Sequence, residues 1–193
     1  NMVIDTLWDD NPIDVSTEVN FIWKIANKLR GTYQSDKYKD VIIPMVIIRR
    51  FECALADTKK AVVDTFKKNP NYPAKAMYRI SKRQFYNTSE FTLAELVNDS
   101  DHIAANFRNY ISGFSANVQD IIKSLDFDKQ IEKMDKNNRL LSVVKAFSEL
   151  DLNPVTIDNV KMGYIFEDLI RRFSENAEAG DHYRVGDIIK ADG

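Results

Sequence analysis

The chain has 193 residues, 44% hydrophobic and 29% charged, which suits one domain with a core of its own. Its formal net charge of −2 excludes a molecule that is polycationic as a whole, so any nucleic-acid contact must come from a local patch. One cysteine, Cys53, excludes an internal disulfide, and the longest apolar run, Val41 to Ile48, is far shorter than the ~20 residues of a membrane span and contains Pro44. A cytoplasmic protein without membrane contact is the expectation.

Glycine and proline are sparse, and the segments between them carry helical periodicity. Residues 1–15 read as an irregular arm broken by Pro12. Ser16 or Thr17 can cap a first helix, on which Val19, Ile22, Trp23, Ala26 and Leu29 share a face and which Gly31 can end in a left-handed conformation. Asp36 opens a second helical region, where Pro44 is expected to start a new helix or kink the existing one. The helical pattern continues from Met45 to about Lys68. Asn69-Pro-Asn-Tyr-Pro73 is a turn, because its prolines and asparagines favour turn geometry. A short basic helix follows, then a brief hairpin or extended turn near residues 84–93. Further helices are expected over 93–97, 103–110, 118–125 and 137–150, the last stopped by Asn153-Pro154, and a final one over about 162–176. The fold class is therefore an irregular all-α domain, with a helical body over residues 16–176 and a separate terminal segment over 177–193.

The chain offers little for catalysis. His102 and His182 have no cysteine or carboxylate at metal-ligand spacing, so no metal site is expected. Glu167 and Asp168 are adjacent and point to different sides of a helix. Asn69-Pro70-Asn71-Tyr72 superficially resembles an Asn-Pro-Pro-aromatic catalytic loop, but it lacks the second proline and follows the charged Thr65-Phe-Lys-Lys68 end of a helix. No catalytic residue is assigned. The binding candidates are Lys75, Arg79, Lys82 and Arg83, which recur at helical spacing beside Tyr78, Phe85 and Tyr86. Such a stripe can track nucleic-acid phosphates by displacing counterions, or it can be an ordinary solvated helix face. Arg49-Arg50 and Arg171-Arg172 flank apolar faces and suit ion pairs at helix junctions.

Several segments carry a family resemblance. Phe21-Ile-Trp-Lys-Ile-Ala-Asn-Lys-Leu-Arg-Gly31, Tyr38 to Phe51, Phe85-Tyr-Asn-Thr-Ser89, Asn109-Tyr-Ile-Ser-Gly-Phe-Ser115, Phe127-Asp-Lys-Gln-Ile131 and Met162 to Tyr183 follow one another in that order. Together they resemble the N-terminal helical domain of the modification (M) subunit of type I restriction–modification systems. The resemblance implies a parent subunit that transfers methyl groups from S-adenosylmethionine to adenine N6. It also implies partners: a specificity subunit that reads the bases, a second M subunit, a restriction subunit able to join them, and DNA held non-specifically by its backbone. His182 and Tyr183 match the His-aromatic pair that precedes Thr-Pro at the edge of the family's cofactor pocket. Here they are followed by Arg184-Val-Gly-Asp-Ile-Ile-Lys190, so the resemblance makes residues 177–193 a truncated or divergent start of the methyltransferase domain, and the sequence ends before the family's cofactor and catalytic loops. This chain is therefore expected to hold no cofactor and to be inactive alone, as an assembly and DNA-clamping domain. A stand-alone helical interaction module, such as a truncated or decoy subunit without enzyme activity, is the alternative.

Overall fold

The computed structural model of this protein describes the backbone of residues 13–192 and the side chains of residues 13–175. The sequence readings for the arm before Ile13, and for the side chains of His182 and Tyr183, lie outside the described residues. Within them are ten α-helices, three single 3-10 turns and no strand, so the all-α expectation holds.

Helix α1 spans Ser16–Ala26 and passes through a 3-10 turn, Asn27–Leu29, into Gly31, whose φ of +88° makes it the left-handed residue expected there. The expected serine or threonine cap is absent. Val15 occupies the N-cap, and the Ser16 N–H donates to Asp14 Oδ1 at 2.9 Å. Helix α2, Lys39–Leu55, runs through Pro44 as one element, where a new helix or a kink was expected. Pro44 lies close to the N-terminus, so its missing N–H leaves only the Asp40 carbonyl without an intrahelical partner.

The helices α3 (Lys59–Lys68) and α4 (Ala74–Ser81) form a hairpin around the Asn69–Pro73 turn, which closes through Tyr72 N–H to Asn69 O at 3.0 Å and Asn71 N–H to Asn69 Oδ1 at 3.1 Å. That geometry makes the Asn-Pro-Asn-Tyr segment a turn. Helices α5 (Leu93–Asn98), α6 (Ile103–Ser112) and α7 (Ala116–Ser124) follow. Helix α8, Phe127–Lys136, was not among the expected elements. Helix α9, Leu140–Ser148, begins three residues later than expected, after Asn138 in a positive-φ conformation. Helix α10, Asn159–Asp192, starts earlier and continues beyond the expected end at 176.

Helix α9 is central: it packs against α1, α2, α5, α6 and α8. Its buried Val143, Val144 and Phe147 join Phe107, Phe127 and Ile48 in one continuous core. The buried residues of the hairpin, Val62, Val63 and Met77, lie outside that core, so α3–α4 is an outboard feature. The 84–93 segment forms no hairpin. It is an extended turn joined to the end of α6 by an isolated antiparallel bridge, Asn87 to Phe114. Thr88 N–H donates to Gly113 O at 2.8 Å and Ser115 N–H to Tyr86 O at 2.9 Å.

Candidate nucleic-acid interface

Residues 59–83 hold eight lysines and arginines and one acidic residue, Asp64, in a chain whose net charge is −2. The hairpin fold places this charge on two adjacent helices. Lys75 and Arg79 are exposed and one helical turn apart on α4. Lys82 and Arg83 are exposed too, but they do not continue the helical face. The helix ends at Ser81, and Lys82 adopts a left-handed C-cap with φ +58° and ψ +24°. The expected stripe is therefore a helical pair followed by a turn pair.

Ser81 builds that turn. Its side chain is buried, its hydroxyl donates to Phe85 O at 2.8 Å, and the same oxygen accepts the Arg83 N–H at 3.3 Å. Thr58 Oγ1 donates to Ser81 O at 3.2 Å and ties the return of the hairpin to its start. Tyr78 and Tyr86 stack at a tilt with ring centroids 5.4 Å apart, and burial raises the Tyr86 phenol above its ordinary value.

The neighbouring helix adds cations that the single-helix reading did not include. Lys60 and Lys68 are exposed on α3, and Lys67 pairs with the exposed Glu90. Lys59 faces inward and donates to Asn87 Oδ1 at 2.9 Å and to Phe91 O at 3.0 Å, anchoring the hairpin base. Among the described residues, Lys75, Arg79, Lys82 and Arg83 have no acidic partner within ion-pair distance. The other arginine pairs are structural. Arg49 pairs with Glu52 at 2.6 Å, and Arg171 and Arg172 share Asp168 within α10. Buried Arg50 donates to Leu152 O, Ile157 O and Asn159 Oδ1, and burial lowers its pKa. A charge count over the window from 59 to 83 was the available signal for the two-helix surface.

No group of three or more histidine, cysteine or carboxylate side chains is placed to hold a metal among the described residues. His102 lies at the end of a 3-10 turn with Nδ1 3.0 Å from Asp99 Oδ1, which raises its pKa through that hydrogen bond and charge. No described helix is long and apolar enough to cross a membrane.

A family model, the HsdM N-terminal domain, matches residues 19–147. The chain belongs to this family. It is an N-terminal domain of the methyltransferase subunit of a type I restriction–modification system. The match to this HsdM N-terminal domain begins in α1 and ends in α9, so it covers the whole basic hairpin and the core residues from Val19 to Phe147. No curated protein and no solved structure matches the chain significantly.

Proposed function

We propose that this domain holds the sugar-phosphate backbone of duplex DNA on the α3–α4 hairpin. The rest of its subunit would be an adenine-N6 methyltransferase that binds S-adenosylmethionine, the source of the methyl group. The domain also docks that subunit into a complex with a specificity subunit, a second M subunit and, when cleavage is required, a restriction subunit. Sequence reading belongs to the specificity subunit. The contact made here is to phosphates and does not discriminate bases.

One observation carries this reading. Seven of the eight cations between residues 59 and 83 are exposed, and Lys75, Arg79, Lys82 and Arg83 are unpaired among the described residues. Exposed, unpaired cations beside one another repel, and a polyanion relieves that repulsion while releasing its own counterions.

The test is a fluorescence-anisotropy titration with two unrelated duplexes, using the domain and a Lys82→Glu/Arg83→Glu double variant. Equal, salt-sensitive binding of both duplexes by the parent domain and loss of binding by the variant is the expected result. No binding at low salt would reduce the surface to a solvated face and leave assembly as the domain's role.

A further inference from the structure

Most lysines and arginines outside the hairpin are buried or held in ion pairs. Among the described residues, the exposed cations there without an acidic partner are Lys24, Lys28, Arg30, Lys37, Lys39 and Lys133, apart from the isolated Lys123 and Lys145. These six belong to one place, the turn around Gly31.

The chain brings them together there. Lys24 in α1 and Lys28 in the 3-10 turn that continues it are four residues apart, one helical turn along the same face. Arg30 forms an isolated bridge with Tyr33, and Lys133 of α8 places Nζ 4.2 Å from the centroid of the Tyr33 ring. Arg139 donates to Thr32 Oγ1 at 3.1 Å and to Arg30 O at 3.4 Å, which adds a guanidinium to the same turn. Lys37 ends the 3-10 turn Ser35–Lys37, and Lys39 is the first residue of α2. The acids at this end are the half-buried Asp36 and Asp40 and the exposed Asp135. Glu132 on the same helix is taken by Lys136.

Helix electrostatics accounts for only part of this arrangement. Lys24 and Lys28 follow α1 to its C-terminus, where cations are favoured. Lys37 and Lys39 lie at the N-terminus of α2, where cations are disfavoured. The hairpin shows the same choice: Lys60 and Lys75 stand in the first turns of α3 and α4, which hold no acid. Unpaired cations at helix N-termini suit an external anion.

Helix α2 connects the two cationic surfaces. From Lys39 to Leu55 it rises about 24 Å, and α3 begins just beyond its far end. At 3.4 Å per step that separation corresponds to about seven base pairs of duplex. Both surfaces are fixed to one core helix, so a duplex held by the first meets the second at a high effective concentration.

We propose that the Gly31 turn is a second phosphate-binding surface, and that one DNA duplex contacts it and the hairpin together across the two ends of α2. The proposal rests on the reading that this domain holds a DNA backbone, and it adds a surface that the hairpin does not include.

The test is lysine footprinting. The domain, alone and saturated with a duplex of about 20 base pairs, well beyond the span of α2, is acetylated briefly, and mass spectrometry gives the rate at each lysine. Lys28, Lys37 and Lys39 should react several-fold more slowly in the complex, as should Lys75 and Lys82, while Lys123 and Lys145 keep their rates. A Lys28→Gln/Arg30→Gln variant should weaken duplex binding at least tenfold at about 0.1 M salt, since two phosphate contacts are lost. Protection of the hairpin lysines alone, with the variant binding normally, would overturn the proposal, leave the hairpin reading standing and free the Gly31 turn for an acidic protein surface. Protection of the Gly31 turn alone, or two duplexes bound per domain, would overturn the shared duplex. Unchanged rates at every lysine would overturn this proposal and the hairpin reading together.

Discussion

At the scale of single residues, Asn87 and Gly113 explain why two distant segments of this sequence belong together. Asn87 is buried, and its amide is used on both sides: Oδ1 accepts from Lys59 Nζ and Ser89 N–H, and Nδ2 donates to Tyr110 O at 2.9 Å. Gly113 makes the approach of the two segments possible. A Cβ there would lie 2.6 Å from Ser89 N and 2.8 Å from Asn87 Oδ1, closer than real contacts allow. Gly113→Ala should therefore destabilise the domain by about 1–3 kcal/mol, because backbone and a committed amide must move. Gly163 is the opposite case. It lies in α10 with nothing within 4 Å of an added Cβ, so Gly163→Ala should stabilise by about 0.5–1 kcal/mol through helix propensity alone. Urea unfolding of both variants checks the contrast in sign. The sequence singled out Phe85 to Ser89 and Asn109 to Ser115 as segments of interest. It could not show that they touch, because the contact rests on tertiary hydrogen bonds and not on a local period.

At the scale of elements, breaks were easier to read than helices. Asn69–Pro73 and Asn153–Pro154 declare themselves through residues that cannot continue a helix. Helix α8 was missed because six of its ten residues are charged, although Phe127, Ile131 and Met134 recur at helical spacing and are all buried. The candidate site was legible in its cations and not in its shape. A stripe drawn along one helix could not reveal that α3 lies alongside α4, or that Lys82 leaves the helix in a left-handed cap. Arg50 shows the same limit. Its sequence context suggested a junction, and the structure makes it the clamp between α2, the 150–158 loop and the start of α10. Its Nη1 donates to Ile157 O at 2.6 Å and to Leu152 O at 2.9 Å. Arg50→Met leaves these acceptors without their donor, so the expected loss is about 2–4 kcal/mol. Arg50→Lys should recover only part of it, since one ammonium cannot reproduce the fork. Urea unfolding gives the magnitude. Faster amide exchange over Ile157 to Met162, relative to the core of α9, would locate the effect. Uniform exchange changes would argue against a clamp.

At the scale of the whole molecule, charge is segregated. Outside residues 59–83, acidic residues outnumber basic ones 28 to 19, whereas the hairpin carries eight cations and one acid. Among the described residues the hairpin edge is therefore the strongest local attraction for an approaching polyanion, which orients the encounter before contact. The salt dependence measures how much of that edge is used. If Lys75, Arg79, Lys82 and Arg83 each neutralise one phosphate, log K should fall with log salt at a slope of about −3.6. Between about 50 and 200 mM salt the affinity then drops by about 150-fold. Replacing Lys82 and Arg83 by glutamine, which removes charge without adding repulsion, should reduce the slope to about −1.8 and the drop to about tenfold. A steeper parent slope would bring Lys60 and Lys68 of α3 into the contact. A slope unchanged in the glutamine variant would place the DNA elsewhere on the molecule, because a cation that touches no phosphate releases no counterion when it is lost.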